Sequence, residues 1–246
     1  MSGVYVYGVM RGRARPRLPA RGVENGVVGR VQVGALAALV STEAPEPVRP
    51  SRRNLMAHSE VLQAVVAAGG DVLPMRFGVV MPDATEVREE LLGAHHDDLV
   101  AQLDALADMI ELGVTVTCPE EVRLREIVAA DSDLAVAARR PDPRERMAAG
   151  ESVAQRLADQ HDAGVRQALD VLGPAVADIA VGEPRHDDEL LGLAFLVARP
   201  RLGDFDAALE RLGERLTDEC HVRCVGPLPP YHFVEVALAP KEEAWG

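Results

Sequence analysis

"PAVADIAVGEPRHDDELLGLAFLVARPRLGDFDAALERLGERL" (Pro174–Leu216) is the stretch on which the fold turns. Pro174–Gly182 reads as a strand, and Glu189–Arg199 is an apolar run of strand length bounded by turn residues. "RHDDE" (Arg185–Glu189) reads as the hairpin tip between them. After Pro200 the apolar residues recur at helical spacing. Phe205, Leu209, Leu212 and Leu216 then fall on one side of a helix over Asp204–Leu216. Working outward, "LGVTVTC" (Leu112–Cys118) is a strand followed by a long helical region, broken around "RRPDPRER" (Arg139–Arg146). Its second half places Val153, Leu157, Val165, Ala168 and Leu172 at helical spacing. Cys220–Val225 and His232–Leu238 read as strands on either side of a proline turn. The resulting order, β-α-β-β-α-β, is that of a ferredoxin-like sandwich.

The N-terminal half reads as a variant of the same plan. Gly3–Val9 is an alternating strand, Met10–Arg21 an Arg/Pro-rich loop, and Gly26–Glu43 a hairpin turning near Gly34. Ala44–Arg53 is an extended linker. A helix follows from Asn54, with Asn54 as its cap, Leu55, Leu62 and Val65 or Val66 along one face, and Gly69-Gly70 as its stop. Asp71–Met81 is a strand in which Pro74 implies an edge or a bulge, because proline cannot donate to the ladder. The order is β-β-β-α-β, a modified ferredoxin-like unit whose first helix is replaced by a loop. Two further helices are expected over Ala84–Leu92 and Ala94–Glu111, the second with Leu99, Leu103, Leu106 and Ile110 on one stripe. The expected class is α+β, with an N-terminal domain over 1–83, a helical connector over 84–111, a C-terminal domain over 112–240 and a tail over 241–246.

Composition narrows the function. With 48% hydrophobic and only 3% aromatic residues, the core must be built mainly from Val, Leu and Ala. The longest apolar run, Leu190–Ala198, is far short of a membrane span. The opening "MSGVYVYGV" has neither a basic leader nor a cleavage site, and with three cysteines in the chain a disulfide framework is not expected. These features predict a cytoplasmic protein. Charge is segregated: residues 1–53 carry nine Arg against three Glu, whereas the whole chain carries −13. The acidic bulk argues against a nucleic-acid partner. The basic strip Arg11–Arg21 is either a solvated loop or a contact for something acidic.

No catalytic or metal constellation emerges. In "ECHVRC" (Glu219–Cys224) the cysteine spacing is poor for zinc, and Cys118 stands apart. On a strand Cys220, Val222 and Cys224 share a face, which predicts thiols used as core filling. "HHDD" (His95–Asp98) is a polar helix start, since adjacent helical residues point apart and cannot close on one ion. His161 falls on the apolar seam of its helix, between Leu157 and Val165, and reads as a satisfied, partly buried histidine. His58, Ser59 and Glu60 face three directions on their helix. None of the six serines lies in a nucleophile-elbow turn, and there is no phosphate loop. Neither an enzyme nor a cofactor is expected.

Three stretches carry more. "VYVYGV" (Val4–Val9), "HSEVLQAVVAAGGDVLPMRFGVVMPD" (His58–Asp83) and "VGPLPPYHFVEV" (Val225–Val236) together resemble the GvpL/GvpF family of gas vesicle proteins. The likeness spans nearly the whole chain in order; the departure is an Arg-rich, Lys-poor composition. It implies a non-enzymatic role in assembling a gas-filled protein shell in the cytoplasm, with the shell protein and other accessory proteins as partners and no membrane or nucleic acid. The motif residues His58, Pro74, Met75, Arg76, Phe77, Gly78, Gly226, Pro227, Pro229, Pro230, Tyr231 and Phe233 become candidates for a partner surface or an interface between domains. Gly226 is expected to let the chain turn, and the three prolines to set φ so that the corner is ordered at little entropic cost. Alternation would put Tyr231 and Phe233 on one face and His232 on the other, and would place Arg76 opposite Met75 and Phe77, ready for a carboxylate. A ligand-binding regulatory module is the alternative, resting on fold analogy alone.

Overall fold

The computed structural model describes residues 2–131, 134, 136, 142–182, 186 and 188–234. The described part of the chain forms two compact units: residues up to Glu111 together with those from Pro227 on, and Leu112–Gly226 between them.

The first unit is built on β1 (Ser2–Arg11), β2 (Val28–Val33), β3 (Leu36–Pro45), α1 (Arg52–Ala67), β4 (Val72–Pro74) and β5 (Val80–Met81). The sheet runs β2-β3-β1-β4, with β5 also paired to β1. All the pairings are antiparallel. The β2–β3 hairpin turns at Gly34, whose φ of +54° lies where side chains are disfavoured. In central β1 both faces of the pleat are buried: Tyr5, Val6, Tyr7, Val9 and Met10 are fully covered. Complete burial of a side chain such as Leu62 or Leu73 contributes about 1.5–3 kcal/mol. Pro74 sits on the edge strand β4, opposite Gly8, where a missing N–H costs the ladder nothing.

Several boundaries differ from the sequence reading. Ser51, not Asn54, caps α1: its Oγ accepts the Asn54 N–H at 3.2 Å. Asn54 is instead buried, donating to Glu24 Oε1 at 2.7 Å and the Arg49 carbonyl at 3.0 Å. A polar residue at a helix start can serve the cap or the neighbouring loop, and here the serine three residues earlier takes the cap. Leu55 is 43% exposed, because the buried face runs through His58, Val61, Leu62, Val65 and Val66. The expected connector is the short α2 (Ala84–Glu86), a π-helical turn (Val87–Gly93) and α3 (His96–Ala105). The helix stops well before Glu111. Asp108, at φ +59°, leaves helical geometry and donates its N–H to Asp71 Oδ1, and the chain then becomes extended.

The second unit contains most of β6 (Met109–Thr117), then α4 (Glu120–Ala130), α5 (Pro143–Leu172), β7 (Asp178–Gly182), β8 (Glu189–Ala198), α6 (Leu202–Gly213) and most of β9 (His221–Leu228). Its sheet runs β7-β8-β6-β9. Counted from its own first strand, this is the order second-third-first-fourth, the same as in the first unit. Phe195 and Phe205 meet at 5.5 Å between β8 and α6. Asp142 caps α5 through the Arg144 N–H, with Pro143 at the first helical position. His161 is satisfied as expected, its Nδ1 donating to the Leu190 carbonyl oxygen at 2.7 Å. Part of the expected break at Arg139–Arg146 and part of the tip at Arg185–Glu189 lie outside the described residues.

Two expectations about cysteine are corrected. Cys118 and Cys220 are joined in a disulfide across a sequence separation of 102, with Cα atoms 4.3 Å apart just beyond the ends of β6 and β9. Neighbouring antiparallel strands bring such a pair within bonding reach whatever their distance in sequence. Cys224 is exposed rather than core filling, because β9 is an edge strand with little packed against it. Among the described residues no helix is long and apolar enough to cross a membrane.

Candidate functional site

The candidate site grows from β1. Tyr5 and Tyr7, two residues apart on a strand, turn the same way, and His58 reaches them from the buried face of α1. The Tyr5 hydroxyl accepts the Gly78 N–H at 3.1 Å, so its own proton goes to His58 Nδ1, 2.9 Å away. That pairing places the imidazole proton on Nε2. The Tyr7 hydroxyl donates to Ser41 Oγ at 2.9 Å and accepts the Val23 N–H at 2.8 Å. Around His58 lie the rings of Tyr7 at 5.7 Å, Tyr5 and Phe77 at 5.8 Å, and Tyr231 at 6.4 Å. The chain has three tyrosines, and all of them are in this cluster.

Electrostatics follow burial. His58 is 3% exposed, and loss of solvation lowers its pKa to about 4, opposed in part by the Met75 carbonyl. Burial raises the Tyr5 and Tyr7 hydroxyls. Tyr231 is pushed up to about 12 by burial and by the Glu111 carboxylate. The cluster is therefore neutral throughout the physiological range.

Tyr231 enters from the C-terminal motif. β9 continues straight through Gly226 and Pro227, so Gly226 is not the turning point; the chain bends at the buried Pro229 and Pro230. Tyr231–Phe233 is a 3₁₀ turn rather than a strand, closed by Tyr231 N–H to the Pro229 carbonyl and Phe233 N–H to the Pro230 carbonyl. Alternation accordingly does not sort Tyr231 and Phe233 onto one face. The rest of the strand expected over His232–Leu238 lies beyond Val234, outside the described residues. Glu111 holds the turn: Oε2 accepts the His232 N–H at 2.9 Å and Oε1 meets His232 Nδ1 at 2.8 Å. Gln63 on α1 donates to the Pro227 carbonyl at 2.9 Å.

The structure thus gathers His58, Phe77, Gly78 and Tyr231, with Pro229 and Pro230, inside the first unit. Gly78 has φ +100°, a conformation that needs glycine. Met75 is buried and its N–H donates to the Tyr7 carbonyl. Pro74 belongs to the supporting edge strand, and Phe233 is half-buried in the turn. Arg76 is exposed and makes no ion pair among the described residues; it lies past the end of β4 and not on a strand face. Sequence reasoning missed Tyr5, Tyr7, Gln63 and Glu111 as members. The tyrosines could have been found from their scarcity and their spacing of two. Glu111 could not, being assigned to a helix.

Among the described residues no group of three or more His, Cys, Asp or Glu side chains could hold a metal ion. Residues 3–235 match the family model described as "Gas vesicle synthesis protein GvpL/GvpF". The chain belongs to the GvpL/GvpF family. Gas vesicle protein F of Streptomyces sp. (strain CB03234) is 36% identical over 244 residues, covering 94% of this chain and 99% of that one. Gas vesicle protein F2 of Halobacterium salinarum is 28% identical, with 100% and 98% covered. The crystal structure of GvpF from Anabaena sp. PCC7120 has the same fold, with a TM-score of 0.84 at 22% identity, covering 96% of this chain and 100% of that one. GvpF from Microcystis aeruginosa gives 0.79 at 22% identity, covering 95% and 99%. These relations give this GvpL/GvpF member a mixed α/β fold with two sheets and a gas-vesicle-related role.

Proposed function

We propose that the chain is an F-type, non-enzymatic accessory protein of gas vesicle assembly, acting in the cytoplasm through contacts with the shell protein, with other accessory proteins, or with both. Both units are read as ferredoxin-like, the first with a loop in place of its first helix; the shared second-third-first-fourth strand order supports this. The observation that carries the functional reading is the position of Tyr231. It is 38% exposed, while the other tyrosines of its cluster are fully covered, and Glu111 and the two prolines fix its backbone. A rigid aromatic ring offered at the surface presents contact area at little conformational cost to a partner.

The test separates presentation from stability. Tyr231→Ala should lower the stability of the purified protein by no more than about 1–2 kcal/mol, since the ring is only partly covered. In cells carrying an otherwise complete set of gas vesicle genes it should sharply reduce vesicle yield. Normal vesicles from a well-folded Tyr231→Ala protein would mean that the corner is only architectural.

A further inference from the structure

The loop between β1 and β2 offers a second surface, independent of the Tyr231 corner. It contains Arg13, Arg15, Arg17 and Arg21, and no acidic residue between Gly12 and Gly22. It is held near both ends: Gly12 N–H donates to the Ala35 carbonyl at 2.7 Å, Gly22 N–H to the Gly26 carbonyl at 3.0 Å, and Val28 N–H to the Ala20 carbonyl at 3.3 Å. Pro16 and Pro19 restrict the backbone between those points. The arginines therefore ride on an ordered frame.

Their arrangement is unusual for cations. Arg15 Nη1 donates to the Ala14 carbonyl at 2.9 Å, and Arg30 Nη1, reaching across from β2, donates to the same oxygen at 2.8 Å. Two guanidiniums are thus side by side on one neutral oxygen. Arg13 and Arg17 are exposed, and among the described residues none of Arg13, Arg15, Arg17 and Arg30 has a carboxylate partner. Arg11, at the start of the loop, differs: it is paired with Asp104. Like charges held together without a counter-ion repel, and an anion that takes their outward donors offsets that repulsion.

We propose that this loop is a docking surface for an acidic polypeptide segment, whose carboxylates pair with the Arg15–Arg30 couple and with Arg13 and Arg17. The planar fork of arginine matches a carboxylate in two-bond geometry. The loop is cationic within a chain of net charge −13, so a long polyanion or an anionic membrane would meet repulsion beyond it.

Binding of a fluorescent polyglutamate peptide to the full chain, at about 0.1 M ionic strength where screening extends over about 10 Å, tests this. The parent protein should bind, and more weakly as salt is added. Arg13→Gln/Arg15→Gln/Arg17→Gln/Arg30→Gln should weaken binding by about tenfold or more, as expected for lost charge-assisted hydrogen bonds. Arg144→Gln/Arg146→Gln/Arg166→Gln/Arg223→Gln removes the same charge from the second unit and should change affinity by less than about twofold. Arg15→Lys/Arg30→Lys keeps the charge but loses the fork, and should cost about threefold. Should the fourfold loop variant fail to fold by circular dichroism, Arg13→Gln/Arg17→Gln, whose side chains hold no backbone, should still cost about threefold. No binding by the parent, equal losses in both fourfold variants, an unchanged lysine variant, or tighter binding to oligothymidylate or phosphatidylglycerol vesicles would each overturn the proposal.

Discussion

His58 shows how one buried side chain links sequence, packing and pH. Its ring is enclosed by Tyr5, Tyr7, Phe77 and Tyr231, and it is held neutral with its pKa at about 4, against 6.5 in the unfolded chain. Between those values the unfolded chain binds a proton that the folded protein refuses. Stability from this residue is therefore fully present above about pH 6.5 and is lost as pH falls towards 4. The span corresponds to roughly 3 kcal/mol. His58→Phe keeps an aromatic ring but cannot titrate, so its melting temperature should fall less between about pH 7 and pH 4.5 than that of the parent. Parallel pH profiles for the two proteins would show that the histidine is not the titrating group. The motif made His58 visible in the sequence, but its partners were not: Tyr5 lies 53 residues away, and only the strand-to-helix packing brings them together.

At the scale of elements, the segment from Leu228 to Phe233 is held by a residue from another strand. Glu111 is buried and takes both the backbone N–H and the ring of His232. Glu111→Ala leaves the His232 N–H without its acceptor and should cost roughly 1–3 kcal/mol. Glu111→Gln retains one acceptor oxygen and should fall between parent and alanine variant. The same order should appear in chymotrypsin cleavage after Tyr231 and Phe233, fastest for the alanine variant. Equal melting and equal cleavage for all three would remove Glu111 from the account. Elements with strong local periodicity were legible: the hairpin at Gly34, the edge position of Pro74, the strand Glu189–Ala198 and the helix beginning near Asp204. Those decided by distant partners were not. The apolar stripe Leu99, Leu103, Leu106 and Ile110 continued on paper as a helix, but the chain turns at Asp108 and buries Ile110 in a strand. The proline corner likewise reads as two strands, because nothing local reveals that Glu111 will stabilise a 3₁₀ turn there.

At the scale of the whole molecule, the sequence reading places residues 112–240 in one domain, whereas the chain returns to its first unit at Pro227. The reason lies in the pairing of β6 with β9. Thr117 Oγ1 donates to the His221 carbonyl, and Gly113 lies against the carbonyl of Val225, so the strands run in opposite directions. Continued to the unit boundary, this register sets Glu111 opposite Pro227. The second unit is thus an insertion whose entry and exit are neighbours on adjacent strands, a geometry in which excision leaves only a small gap. Replacing Leu112–Gly226 with a short Gly/Ser linker should therefore give a folded first unit. The closure cost of such a short, flexible connection grows only slowly with its length. The decisive readout is the His58 cluster, since it draws on β1, α1, the Phe77–Gly78 turn and the segment after Pro227. If all four assemble without the insert, the excised protein should keep the loss of stability between pH 6.5 and about pH 4, and His58→Phe should reduce it as in the full chain. A soluble product lacking that pH dependence would show that the motif segments meet only when the second unit is present, and the first unit would then not be an autonomous fold.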